Sequence, residues 1–113
     1  MKVCLSSLGK DVNSKLSEVF GRCPYFIFVQ IDNNQITKTE ILENTSASQQ
    51  GGAGISSAQI VAENNADAVI TGTVGPRALD VLNQFNIKIF SGAGLVKEVV
   101  QEFISGKLKQ ITK

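Results

Sequence analysis

The stretch DAVITGTVGPRALDVLNQFNIKIFSGAGLVKEVVQEFISG, residues 67–106, decides the fold class because it contains two successive units of strand, glycine loop and helix. In each unit a short apolar run is followed by apolar positions that recur at helical spacing. Pro76 suits the first turn of the first helix, and Gly106 suits the C-terminal cap of the second. The predicted apolar faces are Ala78, Leu82 and Phe85 in the first helix, and Val96, Val99, Val100, Phe103 and Ile104 in the second. Strands joined in this way are typically parallel, with helices covering the sheet.

The residues before this stretch predict one buried strand and a β-hairpin. Residues 2–7 are short and apolar, which is typical of a buried strand. Residues 25–32 are aromatic and β-branched, and residues 36–42 partly alternate. Asn33 and Asn34 between them can adopt positive φ, so the two runs predict a hairpin.

Two further segments predict helices. Leu16, Val19 and Phe20 recur at spacings of three and four, which indicates one or two helical turns within residues 14–21, ended by Gly21. A stripe of small and apolar residues predicts a longer helix that Asn64 and Asn65 can end. Its members are Ile55, Ala58, Val61 and Ala62.

Together these elements predict an α/β fold in one domain, residues 1–113, with five strands and about three main helices. The sheet is mixed, an antiparallel meander followed by parallel strands. Right-handed crossovers then bring the loops after the first, third, fourth and fifth strands to one end of the sheet. Those loops are SLG (7–9), SQQGGAG (48–54), GTVGP (72–76) and SGAG (91–94). Arg22, Cys23 and Pro24, which precede the antiparallel second strand, reach the same end.

The composition excludes several classes of function. A chain of 113 residues that is 42% hydrophobic supports one compact domain. Its net charge of +1, with scattered lysines, predicts no binding of nucleic acid or membrane. The N-terminus turns polar by Ser6, which is unlike a signal peptide or membrane span, so we expect a cytoplasmic protein. The chain contains no histidine, which excludes Ser-His and Cys-His nucleophiles and histidine-bearing zinc sites.

The glycine-rich loops hold the candidate ligand-binding residues. Exposed backbone amides ahead of a helix bind phosphates and other anions, and Arg77 can act as a counter-ion beside the second loop. The candidates are Gly51, Gly52 and Gly54 in the first loop, and Gly72, Thr73, Gly75 and Arg77 in the second. Neither the P-loop nor the dinucleotide-binding spacing is present. In the alternative reading, the glycines only supply positive φ for ordinary connections.

Cys23 is the candidate metal ligand. It lies between Arg22 and Pro24, outside any apolar periodic stretch, so we predict an accessible thiol whose thiolate is favoured by the neighbouring cation. A soft metal such as iron in a cluster would suit this sulfur. A single thiol does not make a cluster site, however, and a structural role is the alternative. Cys4 lies in an apolar strand and is predicted to be a free core residue.

Three stretches resemble the dinitrogenase iron-molybdenum cofactor biosynthesis family, the NifX-like and NifB C-terminal-like group. They are SEVFGRCPYFIFVQID (17–32), GGAGISSAQIVAENNADAVITGTVGPRALDVLNQFNIKIF (51–90) and SGAGLVKEVVQEFISGKL (91–108). The resemblance implies a ribonuclease-H-like three-layer fold without nuclease activity, and a role in binding or carrying iron-sulfur or iron-molybdenum cluster precursors. Several cluster-binding relatives bring histidine or extra cysteine near the glycine-rich loop, where this chain has Gln49 and Gln50.

The first hypothesis is therefore a non-catalytic carrier that cradles an anionic metallocluster at the glycine-loop end through amides, Arg22, Cys23 and Arg77. Metallocluster donor or acceptor proteins would be its partners. The second is a metal-free protein-interaction or regulatory module of the same fold. A third, motivated by the loops alone, is a binder of small phosphates or nucleotides.

Overall fold

The computed structural model describes residues 1–111, which form one mixed sheet with three helices. The strands are β1 (Lys2–Ser7), β2 (Tyr25–Asp32), β3 (Gln35–Glu43), β4 (Ala68–Thr71), β5 (Lys88–Ser91) and β6 (Lys109–Gln110). The helices are α1 (Ala53–Glu63), α2 (Pro76–Gln84) and α3 (Val96–Ile104). None of these three helices has the length and hydrophobicity that a membrane span requires.

The strands follow the order β3-β2-β1-β4-β5-β6. β1, β2 and β3 form an antiparallel meander, and β4 and β5 run parallel to β1, as predicted. The predicted number of five strands is wrong, because β6 adds a sixth that pairs antiparallel with β5. Both residues of β6 are exposed, and the strand is defined by its hydrogen bonds to the edge of the sheet. It therefore has no apolar pattern from which the sequence could predict it.

The predicted hairpin is confirmed. Asn33 and Asn34 have φ values of 53° and 63°, the two consecutive positive angles of a type I′ turn. β2 and β3 pair on either side of this turn, from Asp32 with Gln35 to Tyr25 with Glu43. A two-residue turn of this type matches the twist of the strands, so the pair of asparagines sets the register.

Helices cover both faces of the sheet because the side chains of the central strands alternate between two apolar clusters. Cys4 of β1 belongs to one cluster, and Val3 and Leu5 belong to the other. α1 and α2 pack on the Cys4 side through Ala58, Val61, Ala78 and Leu82. α3 packs on the Leu5 side through Val96, Val99 and Val100. The predicted helix faces are confirmed at these buried positions.

Phe85 does not belong to the buried face of α2, contrary to the sequence prediction. Its side chain is 55% exposed. α2 ends at Gln84, Phe85 is the C-cap, and Asn86 then turns the chain with φ 59°. Helical spacing therefore overestimated the length of the helix by one residue, and the phenyl ring projects from its end.

Residues 15–20, here called the crossing segment, form isolated β-bridges at Lys15, Leu16 and Val19, so the predicted helix within residues 14–21 is wrong. Leu16 N donates to Gly94 O at 2.8 Å, and Phe20 N donates to Thr73 O at 2.9 Å. Leu16 packs in the α3-side cluster and Phe20 in the α1/α2-side cluster. The segment therefore crosses the end of the sheet, and its apolar spacing reflects two different cores instead of one helix face.

Gly72 allows the crossing segment to lie against β4. A Cβ at this position would lie 2.7 Å from Glu18 Cα and 2.8 Å from the Glu18 carbonyl carbon. By contrast, no atom of residues 1–111 lies within 4 Å of a Cβ built on Gly51. Both glycines are candidate ligand residues, but only Gly72 is required by packing.

We expect Gly72→Ala to lower the free energy of unfolding by about 1–3 kcal/mol, because the added methyl group must displace backbone. The matched control Gly51→Ala should change it by no more than about 0.5 kcal/mol. Urea denaturation monitored by circular dichroism measures both values. Equal stability of the two variants would contradict the role given to Gly72.

Candidate functional site

A cavity of ≈ 380 Å³ lies at the sheet end where the crossing segment meets α1 and α2. Three segments form its walls: residues 19–22, 52–55 and 75–78. The lining residues are Val19, Phe20, Gly21, Arg22, Gly52, Ala53, Gly54, Ile55, Gly75, Pro76, Arg77 and Ala78. The predicted convergence of the loops after β3 and β4 with Arg22 is therefore confirmed.

The N-termini of two helices line the cavity. α1 begins after Gly52, which has φ 74°, and α2 begins after Gly75. Neither glycine can supply a capping side chain, and neither helix has an acidic residue in its first turn. The first helical bonds are those from Ser56 N to Gly52 O (2.9 Å) and from Leu79 N to Gly75 O (3.0 Å).

Several backbone amides at these helix ends consequently have no protein acceptor among residues 1–111. They belong to Ala53, Gly54, Ile55, Arg77 and Ala78. Unpaired amides at a helix N-terminus carry a partial positive charge that favours an anion. Two such termini on one cavity make it a candidate anion site.

Close backbone packing builds the floor of the cavity. Gly21 has φ +98°, and a Cβ there would lie 2.8 Å from Gly54 Cα. A Cβ on Gly54 would lie 3.2 Å from Ala78 Cβ. Larger residues at Gly21 or Gly54 would push the crossing segment and the helices apart, so these positions need small residues.

Arg22 and Arg77 both line the cavity and are both exposed, but their partners differ. Arg22 Nη1 donates to Ala47 O at 3.0 Å and to Gln49 O at 2.6 Å, so this guanidinium holds the loop of residues 44–52. Within residues 1–111, Arg77 takes part in no ion pair. No carboxylate of the described residues therefore neutralises the charge of Arg77.

Cys23 is fully buried, which corrects the prediction of an accessible thiol. Burial raises its pKa from 9.0 to about 11, although hydrogen bonds from the Gly21 backbone and the Asn44 side chain oppose the increase. The thiolate is therefore disfavoured, contrary to the effect expected from Arg22. The sequence misled here because the short turn before β2 places Cys23 beneath α1, in a core cluster with Cys4 and Phe26.

Neither cysteine belongs to a cluster of potential metal-ligating side chains in the described chain. Among residues 1–111, no group of three or more His, Cys, Asp or Glu side chains is placed to hold a metal ion. Cys4 is a free core thiol, as predicted, and burial raises its pKa well above the ordinary value. Metal ligation by Cys23 stays a prediction and would require this turn to open.

The candidates Gly51, Gly72 and Thr73 do not line the cavity. Thr73 N and Thr73 Oγ1 donate to Glu18 O at 2.7 and 2.9 Å, so Thr73 and the adjacent Gly72 fasten the crossing segment. Gly51 is exposed beside the rim, next to Gly52. In the SGAG loop, Gly92 packs against Val99 on the α3 side of the sheet. The structure thus brings Arg22, Gly52, Gly54, Gly75 and Arg77 together in the cavity.

Asn44 is a residue of the site that the sequence analysis missed. Its buried side-chain amide donates to Cys23 O at 2.9 Å and to Ser57 Oγ at 3.0 Å, which links the turn before β2 to α1. Its Oδ1 accepts from Ser46 N at 3.1 Å. This last contact is an Asx turn, so an asparagine directly after a predicted strand was the available signal.

Comparison with known proteins finds similarity over almost the entire chain. The family model described as "Dinitrogenase iron-molybdenum cofactor" matches residues 1–106. An uncharacterized protein of Methanocaldococcus jannaschii is 34% identical over 112 residues, covering 97% of this chain and 95% of the relative.

Two solved structures are similar in fold and sequence. The apo form of the orange protein from Desulfovibrio gigas has a TM-score of 0.88 and 29% identity, covering 97% of this chain and 92% of that chain. A Thermotoga protein assigned provisionally as NifB has a TM-score of 0.84 and 28% identity, covering 99% of this chain and 94% of that chain.

We expect Cys23 to react very slowly with a thiol reagent in the folded protein. A pKa of about 11 instead of 9.0 lowers the thiolate fraction at pH 7 about 100-fold, and burial adds a steric barrier. The folded state holds the proton of the Cys23 thiol more tightly than the unfolded state does. The stability that this proton binding contributes is therefore complete below pH 9 and is lost as pH rises toward 11. Ellman titration should detect both thiols only after unfolding; rapid native reaction at pH 7, absent from Cys23→Ala, would contradict the burial.

We expect Asn44→Ala to lower the free energy of unfolding by about 1–3 kcal/mol, because the buried groups it satisfies lose their partner. Asn83→Ala, on the exposed face of α2, is the matched control and should be nearly neutral. Urea denaturation measures both. If Asn44→Ala is as stable as the control, the hydrogen bonds of Asn44 do not link the turn to α1.

Proposed function

Because the chain belongs to the dinitrogenase iron-molybdenum cofactor family, we propose that it binds and carries an anionic iron-sulfur or iron-molybdenum cluster precursor in the cavity. The proposed role has no catalytic step. The observation that carries it is the convergence of two uncapped helix N-termini and Arg77 on one cavity.

The electrostatics of the cavity favour an anionic cargo. Each helix terminus contributes about 0.3–1 kcal/mol toward a nearby negative charge, and more where the site is partly buried. Hydrogen bonds from Arg77 and from the unpaired amides to an anion are charge-assisted, which makes them roughly twice as strong as neutral ones. Among the described residues, the cavity wall contains no carboxylate to oppose the attraction of an anion.

The cavity-lining residues also determine how the cargo would be held. None of them is a cysteine, histidine, aspartate or glutamate, so no lining side chain is a usual metal ligand. A cluster whose metals are already coordinated by sulfide or other small ligands would be held through hydrogen bonds and charge. Such binding needs no metal–protein bond to break on transfer, which suits a carrier.

Two further observations support a carrier role. The cavity volume of ≈ 380 Å³ lies within the range of small-ligand pockets. The orange protein, which has a similar fold, is described in an apo form. We propose proteins of cofactor biosynthesis as the donors and acceptors of the cargo.

We expect a water-soluble, negatively charged synthetic iron-sulfur cluster to co-elute with the protein under anaerobic conditions, with stoichiometric iron and visible absorbance. Arg77→Gln should weaken this binding about tenfold or more, because it removes a charge-assisted contact. The matched control Lys97→Gln, which removes an exposed cation from α3 on the other face of the sheet, should bind like the wild type.

Absence of iron from the protein fraction, or equal binding by Arg77→Gln and Lys97→Gln, would contradict the proposal. Nucleotides and inorganic phosphate tested by thermal shift distinguish the phosphate-binding hypothesis, since a ligand of the folded state raises its stability. Stabilisation by these compounds without retention of the cluster would favour that alternative.

A further inference from the structure

β3 is an edge strand that neither helix layer covers. All nine of its residues are exposed, although Ile36, Ile41 and Leu42 are large aliphatic side chains with 39%, 48% and 37% exposure. Its outer edge presents backbone donors and acceptors that the sheet does not use. A strand of this length with aliphatic side chains is a ready surface for pairing with another strand.

When two copies of β3 lie antiparallel, the positive charge of one copy can lie opposite the negative charge of the other. Lys38 and Glu40 flank Thr39, with opposite charges at equal distance from it. Both side chains lie on the α1/α2 face, since they pair with Gln30 and Phe28 of β2. We propose that β3 pairs antiparallel with β3 of a second copy of this chain, centred on Thr39, so that two sheets become continuous.

The register follows from charge. In a two-fold antiparallel ladder centred on Thr39, Lys38 of each copy lies opposite Glu40 of the other, which makes two favourable pairs. Centring the ladder on Lys38 or on Glu40 would place like charges opposite each other, and centring it on Ile41 would place Glu40 opposite Leu42. If the pairing of the two strands were shifted by an odd number of residues, each side chain would lie opposite a residue whose side chain belongs on the other face of the sheet.

A β-bulge limits the length of the ladder. Gln30 pairs with Lys38 while Ile31 pairs with Ile36, which leaves Thr37 without a partner on β2. The regular part of β3 is therefore Lys38–Glu43. In the register centred on Thr39, regular pairing covers Lys38, Thr39 and Glu40 of each copy, and Ile41 and Leu42 lie opposite Thr37 and Ile36 at the bulge. Within one chain, Glu40 also lies 3.8 Å from Lys2 Nζ and 3.9 Å from Lys38 Nζ, but such exposed contacts contribute little and can be exchanged.

The proposed interface does not involve the cavity. No residue that lines the cavity belongs to β3, so both copies would keep their cavities accessible. The inference is independent of the proposed cargo, and the two can fail separately.

Sedimentation equilibrium of the wild type should show a concentration-dependent dimer. Lys38→Glu or Glu40→Lys alone should weaken the dimer about tenfold or more, because each converts two opposite-charge pairs into two like-charge pairs. The double variant Lys38→Glu/Glu40→Lys should restore it to within about threefold. Lys97→Glu changes the net charge equally but lies on α3, and should dimerise like the wild type.

Circular dichroism checks that each variant is folded. A wild type that stays monomeric at millimolar concentration would overturn the proposal. So would a dimer that Lys38→Glu and Lys97→Glu affect equally, because that dimer would use another surface. Failure of the double variant to recover would exclude the register centred on Thr39.

Discussion

The backbone of the crossing segment hydrogen-bonds to the carboxyl ends of the strands, and the cavity depends on these bonds. Ser17 N donates to Ser6 O, Thr73 N to Glu18 O and Phe20 N to Thr73 O, at 2.7–2.9 Å. The bonds hold residues 19–22 beside the start of α2, where they form one wall of the cavity. Backbone groups make these bonds, and Gly72 permits the close approach of the crossing segment to β4.

The two helix N-termini on the cavity lack side-chain caps. Serine, threonine or aspartate at an N-cap satisfies an amide that is otherwise unpaired, and typically contributes about a few tenths of a kcal/mol more than glycine. Gly52 and Gly75 occupy these positions instead and supply no side-chain bond. Backbone donors at two helix ends thus stay open on one cavity, an arrangement that binds anions in other proteins.

Beneath the cavity the polar groups are satisfied, in contrast to its walls. Asn44 bonds to the turn before β2 and to α1, and no buried side-chain polar atom of the described chain lacks a partner. Cys23 belongs to this rigid base as a protonated thiol. The base thus fixes the positions of Gly21 and Arg22 while the amides above it stay available. The β3 edge lies outside this arrangement, so cargo binding and self-association would use separate surfaces.

The sequence alone was sufficient for the parts of the fold that depend on local chemistry. Paired asparagines with positive φ set the hairpin, Pro76 and Gly106 mark the ends of their helices, and the strand-loop-helix units determine the parallel strands. The directions of the strands in turn predicted that the loops after β3 and β4 lie near Arg22. The family resemblance was also readable in the sequence and is confirmed.

Only the tertiary structure decided the conformation of residues 15–20, the burial of Cys23 and the role of Asn44. Leu16 and Phe20 have helical spacing, but they pack on opposite faces of the sheet, and periodicity cannot distinguish one helix face from two cores. Cys23 is flanked by polar and turn residues, yet α1 covers it. The conformation of residues 15–20 and the burial of Cys23 and Asn44 depend on which segments lie beside one another in space. Local patterns of apolar and polar residues do not show those long-range contacts.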